Sequence, residues 1–152
     1  MQKPRAEAPD IEQLVTFRLS FIYHRLALAN EPDVTRQFGL ALREWRVLAF
    51  LAKHQPLQAS HLVARSPMDK AGVSRAVASL LKSKLIESTV APDDRRVKIL
   101  RLTAAGEHLH EEAVPHSLAL QDKILSAFTP SEQKTFLRLL DKLQRHVEKI
   151  DQ

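Results

Sequence analysis

The chain has no cysteine, only three glycines, one tryptophan and one tyrosine in 152 residues, and no apolar run near the length of a bilayer span. Without thiols there is no disulfide framework, thiolate metal site or cysteine redox switch. So little glycine leaves no glycine-rich phosphate loop. With neither a cysteine nucleophile nor a recognisable carboxylate pair, an enzyme is not expected. A spanning helix needs about 20 mainly apolar residues, so no membrane partner is expected. The segment from Met1 to Asp10 is polar, carries Pro4 and Pro9 and lacks the apolar core of a signal peptide, which makes a cytoplasmic location the expectation.

What is present is a globular balance, 44% hydrophobic and 27% charged, suited to one domain. The charge is unevenly placed. From His61 to Arg101 there are nine Lys/Arg against four Asp/Glu, while the flanks hold fourteen of each sign. The formal charge of +5 therefore resides wholly in the middle of the chain. That is the electrostatic footprint of a polyanion binder. On charge alone, an ordinary solvated basic surface is the alternative.

Hydrophobic periodicity and punctuation divide the chain. A first helix is predicted from Asp10 to about Ala29, ended by Asn30, Pro32 and Asp33. A second runs from about Leu42 to His54, stopped by Pro56, and a short third from about Ala59 to Arg65. The fourth reaches about Ser83. It starts either with Ser66 as cap and Pro67 in the first turn or with Asp69 as cap. Two strands, Leu85 to Val90 and Val97 to Leu102, then flank the charged linker Ala91 to Arg96. Thr103 begins a long helix to Phe128, bent near Pro115. Thr129-Pro130-Ser131-Glu132 opens a last helix to about Asp151. Its Phe136, Leu140, Leu143, Val147 and Ile150 alternate at spacings of four and three, a seam that needs a partner.

The predicted fold is mainly α with a small β wing. A winged helix-turn-helix lobe spans 40–103, and helices at 10–35 and 104–152 form a dimerisation region. In such a lobe the second helix of the pair lies in the major groove. Here Val73, Ala76, Val77, Leu80 and the stem of Lys84 are assigned to the inner face. Ala71, Ser74, Arg75, Ala78 and Lys82 form a short or basic outer one, and Gly72 removes bulk near the leading end. Arg75 has the planar fork that matches guanine O6/N7. Lys70 and Ser74 can reach bases or phosphates, and Lys82 a phosphate. At the hairpin tip an arginine can enter a narrow, A·T-rich minor groove, with Asp94 close enough to orient Arg96.

The stretch Met68-Asp69-Lys70-Ala71-Gly72-Val73-Ser74-Arg75-Ala76-Val77, with Leu85-Ile86, Asp94-Arg95-Arg96 and Leu100-Arg101-Leu102-Thr103-Ala104-Ala105-Gly106, strongly resembles the MarR family of transcriptional regulators. Phe38-Gly39-Leu40 and Trp45-Arg46-Val47-Leu48 fit the start of that family's second helix. The resemblance implies a homodimer that binds double-stranded DNA at a near-palindromic operator, commonly a repressor released by a small aromatic acid or phenolic. By matching positions it assigns Lys70, Ser74 and Arg75 to the major groove, Arg96 braced by Asp94 to the minor groove, and Arg95 to the phosphates. Three positions depart from the family pattern. Ala41 stands where threonine often caps the second helix, Lys84 where a glycine usually precedes the wing, and Gly72 where threonine is frequent.

Arg18, His24, Trp45 and Arg46 are the candidate effector residues, cations for a carboxylate and an aromatic wall, where the dimerisation helices meet the lobe. His108, Glu112 and His116 have the spacing of one helical face, yet no His-Glu-x-x-His motif occurs. No metal or cofactor is assigned. A non-sequence-specific architectural DNA binder and a zinc-responsive regulator are the alternatives to a sequence-specific repressor.

Overall fold

The computed structural model describes residues 10–66 and 68–150. The readings of Met1 to Pro9, of Pro67 as a first-turn residue and of the helix end at Asp151 lie outside the described residues. A 3-10 turn, Ile11–Gln13, is capped by the Asp10 carboxylate, which accepts the Glu12 amide at 3.0 Å. Helix α1 follows, Val15–Phe38. It does not stop at Asn30 to Asp33 but runs through Pro32. An interior proline costs about 3 kcal/mol or more. Beyond it, however, Val34 is 2% exposed in the core and Phe38 packs against that core. Full burial of a side chain such as Val34 stabilises by about 1.5–3 kcal/mol, and the partly buried Phe38 adds less. The stop comes at Gly39, whose left-handed φ of 67° turns the chain while its N–H donates to the Thr35 carbonyl at 3.0 Å.

Helix α2, Leu42–His54, lacks a capping side chain at Ala41. Glu44 makes up half of the deficit, because its Oε2 accepts the Ala41 N–H at 2.8 Å. Val47, Leu48 and Leu51 point from α2 into the core, where they join Leu62 of α3 (Ala59–Arg65) and Val73, Ala76 and Leu80 of α4 (Lys70–Lys82). The sheet closes this core with Leu57, Ile86, Leu100 and Leu102.

The sheet has three antiparallel strands in the order β1-β3-β2. The hairpin strands are β2, Ile86–Val90, and β3, Lys98–Leu102, with Ile86 opposite Leu102 and Val90 opposite Lys98. The third strand, β1, is only Leu57–Gln58, paired to Leu100 and Ile99. Two residues cannot display an alternating pattern, so sequence periodicity does not register it.

Lys84 is exposed and stands outside α4 at φ 58°, not on the helix's inner face. The Lys84 N–H donates to the Leu81 carbonyl at 3.1 Å and the Leu85 N–H to Leu80 at 3.0 Å. This pairing ends a helix on a left-handed residue, the place usually held by glycine. Helix α5, Ala104–Leu125, passes through Pro115 and ends three residues before the predicted Phe128, and α6 spans Pro130–Ile150.

The chain divides into two compact units, one up to Glu111 and one from Glu112. In the second, Gln133 donates to the Leu125 and Phe128 carbonyls, and the Phe128 and Phe136 rings stack with centroids 5.0 Å apart. Thr129 N–H and Oγ1–H both donate to Glu132 Oε2 at 2.8 Å. Those bonds, the backbone one first, hold the Glu132 carboxyl below the usual glutamate range. Among the described residues no helix is long and apolar enough to cross a membrane.

Candidate nucleic-acid interface

Asp69, and not Ser66, caps α4: its Oδ1 accepts the Gly72 N–H at 2.9 Å, while Ser66 Oγ accepts from Met68. Gly72 is buried. A β carbon there would lie 2.5 Å from Asp69 Oδ1, so its small size makes room for the cap. The expectation that Gly72 serves DNA contact by removing bulk near the leading end is corrected accordingly: the space it leaves is taken by the Asp69 cap.

The remaining face assignments of α4 hold. Val73, Ala76 and Leu80 are at most 1% exposed, and Val77 is half-buried. Lys70, Ala71, Ser74, Arg75, Ala78 and Lys82 are exposed. Among the described residues, Lys70, Arg75, Lys82 and Arg95 form no ion pair. Their charge is uncompensated and open to a polyanion. The short Ala71, Ser74 and Ala78 side chains between them let a second surface approach the helix backbone closely.

The wing tip is tied by the Ala91 N–H to the Val97 carbonyl and the Val97 N–H to the Asp94 carbonyl, both at 2.9 Å. Asp94 Oδ1 accepts twice from Arg96, from the backbone N–H at 2.9 Å and from Nε at 3.3 Å. The Arg96 side chain remains 92% exposed. An ion pair this exposed adds little stability. What it does is direct the guanidinium while leaving the other nitrogens free. Beside the tip end of β3, Ala59, Ser60, Arg96, Val97 and Lys98 line a cleft of about 310 Å³. Ser60 was not singled out from the sequence, because only the pairing of Gln58 with Ile99 brings the start of α3 beside β3.

The four candidate effector residues divide among separate contacts. Arg46 donates to the Tyr23 hydroxyl, with its guanidinium carbon 4.9 Å from that ring's centroid. Trp45 stacks on His110 at 5.6 Å. Arg18 donates to the Glu12 carbonyl at 3.2 Å and to the Gln13 side chain, and His24 is exposed on α1. Tyr23 and His110 are thus partners that spacing did not identify, since each meets its contact across a large sequence separation. Among the described residues no group of three or more His, Asp or Glu is placed to hold a metal ion.

Residues 38–97, from the end of α1 through the wing tip, match the sequence pattern of the MarR family. An uncharacterized helix-turn-helix-type transcriptional regulator from Bacillus cereus is 30% identical over 141 residues, 91% of this chain and 92% of the relative. The crystal structure of a MarR/EmrR-family transcriptional regulator from Acinetobacter sp. ADP1 superposes with a TM-score of 0.83 at 27% identity, covering 92% of this chain and 99% of that one. Bordetella bronchiseptica BpsR, whose DNA binding is regulated by 6-hydroxynicotinic acid, shares the fold at TM-score 0.79 and 23% identity, over 90% of this chain and 97% of that one. A basic winged lobe, a family match across it and a relative similar over nearly its whole length lead to one conclusion: the chain belongs to the MarR family of DNA-binding transcriptional regulators.

Proposed function

We propose that this protein is a homodimeric repressor that binds a near-palindromic operator and releases it when a small aromatic acid or phenolic binds. The observation that carries the DNA part is the exposed, unpaired cationic face of α4, in the same lobe as the Asp94-directed Arg96. In this reading Arg75 contacts guanine, Lys70 and Ser74 bases or phosphates, and Lys82 a phosphate. Arg96 enters the minor groove while Arg95 contacts the backbone. The target DNA makes the cytoplasm its place of action.

Dimerisation is supported by exposed apolar side chains on the 3-10 turn (Ile11), on α1 (Val15, Phe21, Ile22) and on α6 (Leu137, Leu140, Val147, Ile150). A two-fold dimer calls for two related half-sites about one helical turn apart. For the effector, Arg46 supplies a cation and Trp45 an aromatic wall, with Arg18 and His24 as further cations. The 6-hydroxynicotinic acid that regulates BpsR belongs to the same ligand class.

Selection of bound duplexes from random DNA at one stated salt concentration, repeated with a panel of aromatic acids, tests these points together. The expected result is paired half-sites bound about 10³-fold or more tighter than random duplex, with affinity lost in the presence of at least one acid. Similar affinity for every duplex would make the protein an architectural binder. A change on adding zinc would favour a zinc-responsive regulator, and a stable 17.2 kDa monomer in sedimentation would overturn the dimer.

A further inference from the structure

Strand β1 supports β3 through only two residue pairs, Leu57 with Leu100 and Gln58 with Ile99. Continued by the same antiparallel register, Leu102 would face residue 55. The backbone there does not form a strand. Gln55 is the C-cap of α2, and its own N–H returns to the Leu51 carbonyl at 2.8 Å. Its side chain fills the position instead: Oε1 accepts the Leu102 N–H at 2.7 Å. The other end of the same carboxamide, Nε2, donates to Glu107 Oε1 on α5 at 3.3 Å. The orientation is dictated by chemistry. A backbone N–H can only donate and an ionised carboxylate can only accept, so only this way round are both bonds made.

We propose that Gln55 is a positioning residue for the wing. Its carboxamide replaces an absent β1 carbonyl at the foot of β3 and ties that strand both to the end of α2 and to the first turn of α5. Leu102 is 6% exposed, so its N–H has few other partners. The wing tip lies at the opposite end of the same strand. Any freedom at the foot of β3 is therefore carried along the strand to Arg96, whereas α4 is anchored in the core by its own Val73, Ala76 and Leu80 and, among the described residues, makes no hydrogen bond to Gln55. Loss of the Gln55 bonds should weaken what the wing contributes to DNA binding and spare what α4 contributes. This inference rests on the reading of Arg96 as a minor-groove contact.

The test uses a duplex that the full-length protein itself selects, and the same duplex with G·C pairs placed under the wing. Gln55→Leu removes both bonds. Gln55→Glu keeps an acceptor for Leu102 but sets a second carboxylate against Glu107. Combining Gln55→Glu with Glu107→Gln restores both bonds with the amide and the carboxylate exchanged. Each single Gln55 variant should lose about fivefold in affinity, near the worth of one ordinary hydrogen bond. It should also lose preference for the A·T-rich wing site, and the exchanged pair should recover both. In an Arg96→Ala background the Gln55 substitutions should have little further effect. In an Arg75→Ala background their effect should persist. Should Gln55→Leu not fold, the Gln55→Glu and exchanged-pair comparison carries the test alone. Wild-type affinity in the single variants, or equal losses in the Arg96→Ala and wild-type backgrounds, would overturn the role of Gln55 while leaving the minor-groove reading intact. If Arg96→Ala alone costs no affinity, the minor-groove reading fails and takes the proposal with it.

Discussion

Thr103 donates its hydroxyl to the carbonyl of Lys84, 2.7 Å away, and so joins the start of α5 to a residue held in the left-handed region at φ 58°. A side chain with a β carbon costs about 1–2 kcal/mol there. The site is kept by its surroundings: the Lys84 and Leu85 N–H groups close α4, and the Thr103 N–H donates to the Leu85 carbonyl at 3.1 Å. Lys84→Gly should therefore raise stability by up to about 1 kcal/mol, because part of the relief is offset by the greater freedom of glycine in the unfolded chain. A higher urea midpoint with an unchanged slope is the expected result. A lower midpoint would mean that the lysine stem contributes packing that its exposure does not reveal.

The same junction explains Gly106. A β carbon there would stand 1.9 Å from the Leu85 carbonyl oxygen and 3.0 Å from its carbon, both backbone atoms that cannot swing aside. Gly106→Ala gains helix propensity of about 1 kcal/mol, yet overpacking of this kind costs about 1–3 kcal/mol and occasionally more. Net destabilisation is expected, visible as a lower thermal midpoint. An unchanged or raised midpoint would show that α5 can move off the wing root without loss.

Arg75 and Arg96 should fail in different ways. Arg75→Ala should cost about 1–3 kcal/mol on the selected operator and relax base preference at one position in each half-site. Arg96→Ala should cost most where the wing site is A·T-rich, since a narrow minor groove is the source of the extra negative potential. Asp94→Ala should reproduce part of the Arg96 effect, because Asp94 Oδ1 accepts from both the backbone and the Nε of Arg96. Equal loss on every duplex for Arg96→Ala would contradict shape readout and point to a plain phosphate contact.

Much of the lobe was legible because its boundaries are written in local chemistry. Pro56 ends α2, Ser66 or Asp69 begins α4, and the change of period after Lys84 announces the hairpin. The buried and exposed faces of α4 followed from a 3.6-residue spacing that Val73, Ala76 and Leu80 satisfy in the structure. What was not legible depends on distant partners. Pro32 reads as a helix stop until Val34 and Phe38 are seen in the core. Gly72 reads as bulk removed from the leading end of the helix until its N–H is found on Asp69. Tyr23 beside Arg46, His110 on Trp45 and Gln55 beneath Leu102 have no local signature at all, because each pairing is made only when the chain closes.

Helix α6 offers a test by pH. Glu132 accepts the Thr129 N–H and hydroxyl, both at 2.8 Å, and these bonds lower its pKa, the backbone bond more than the side-chain one. A carboxyl depressed in the folded state binds protons less readily than in the unfolded chain. Its contribution is therefore complete above the unfolded glutamate pKa and is lost as the pH falls through the lower folded value. Glu132→Gln should flatten this part of the acid dependence of unfolding while leaving the neutral-pH fold intact. Thr129→Ala should shift the Glu132 carboxyl resonance only part of the way back toward the ordinary glutamate value, because the backbone N–H stays. If Glu132 titrates in the folded protein as an ordinary glutamate, the box does not form in solution and α6 must start by other means.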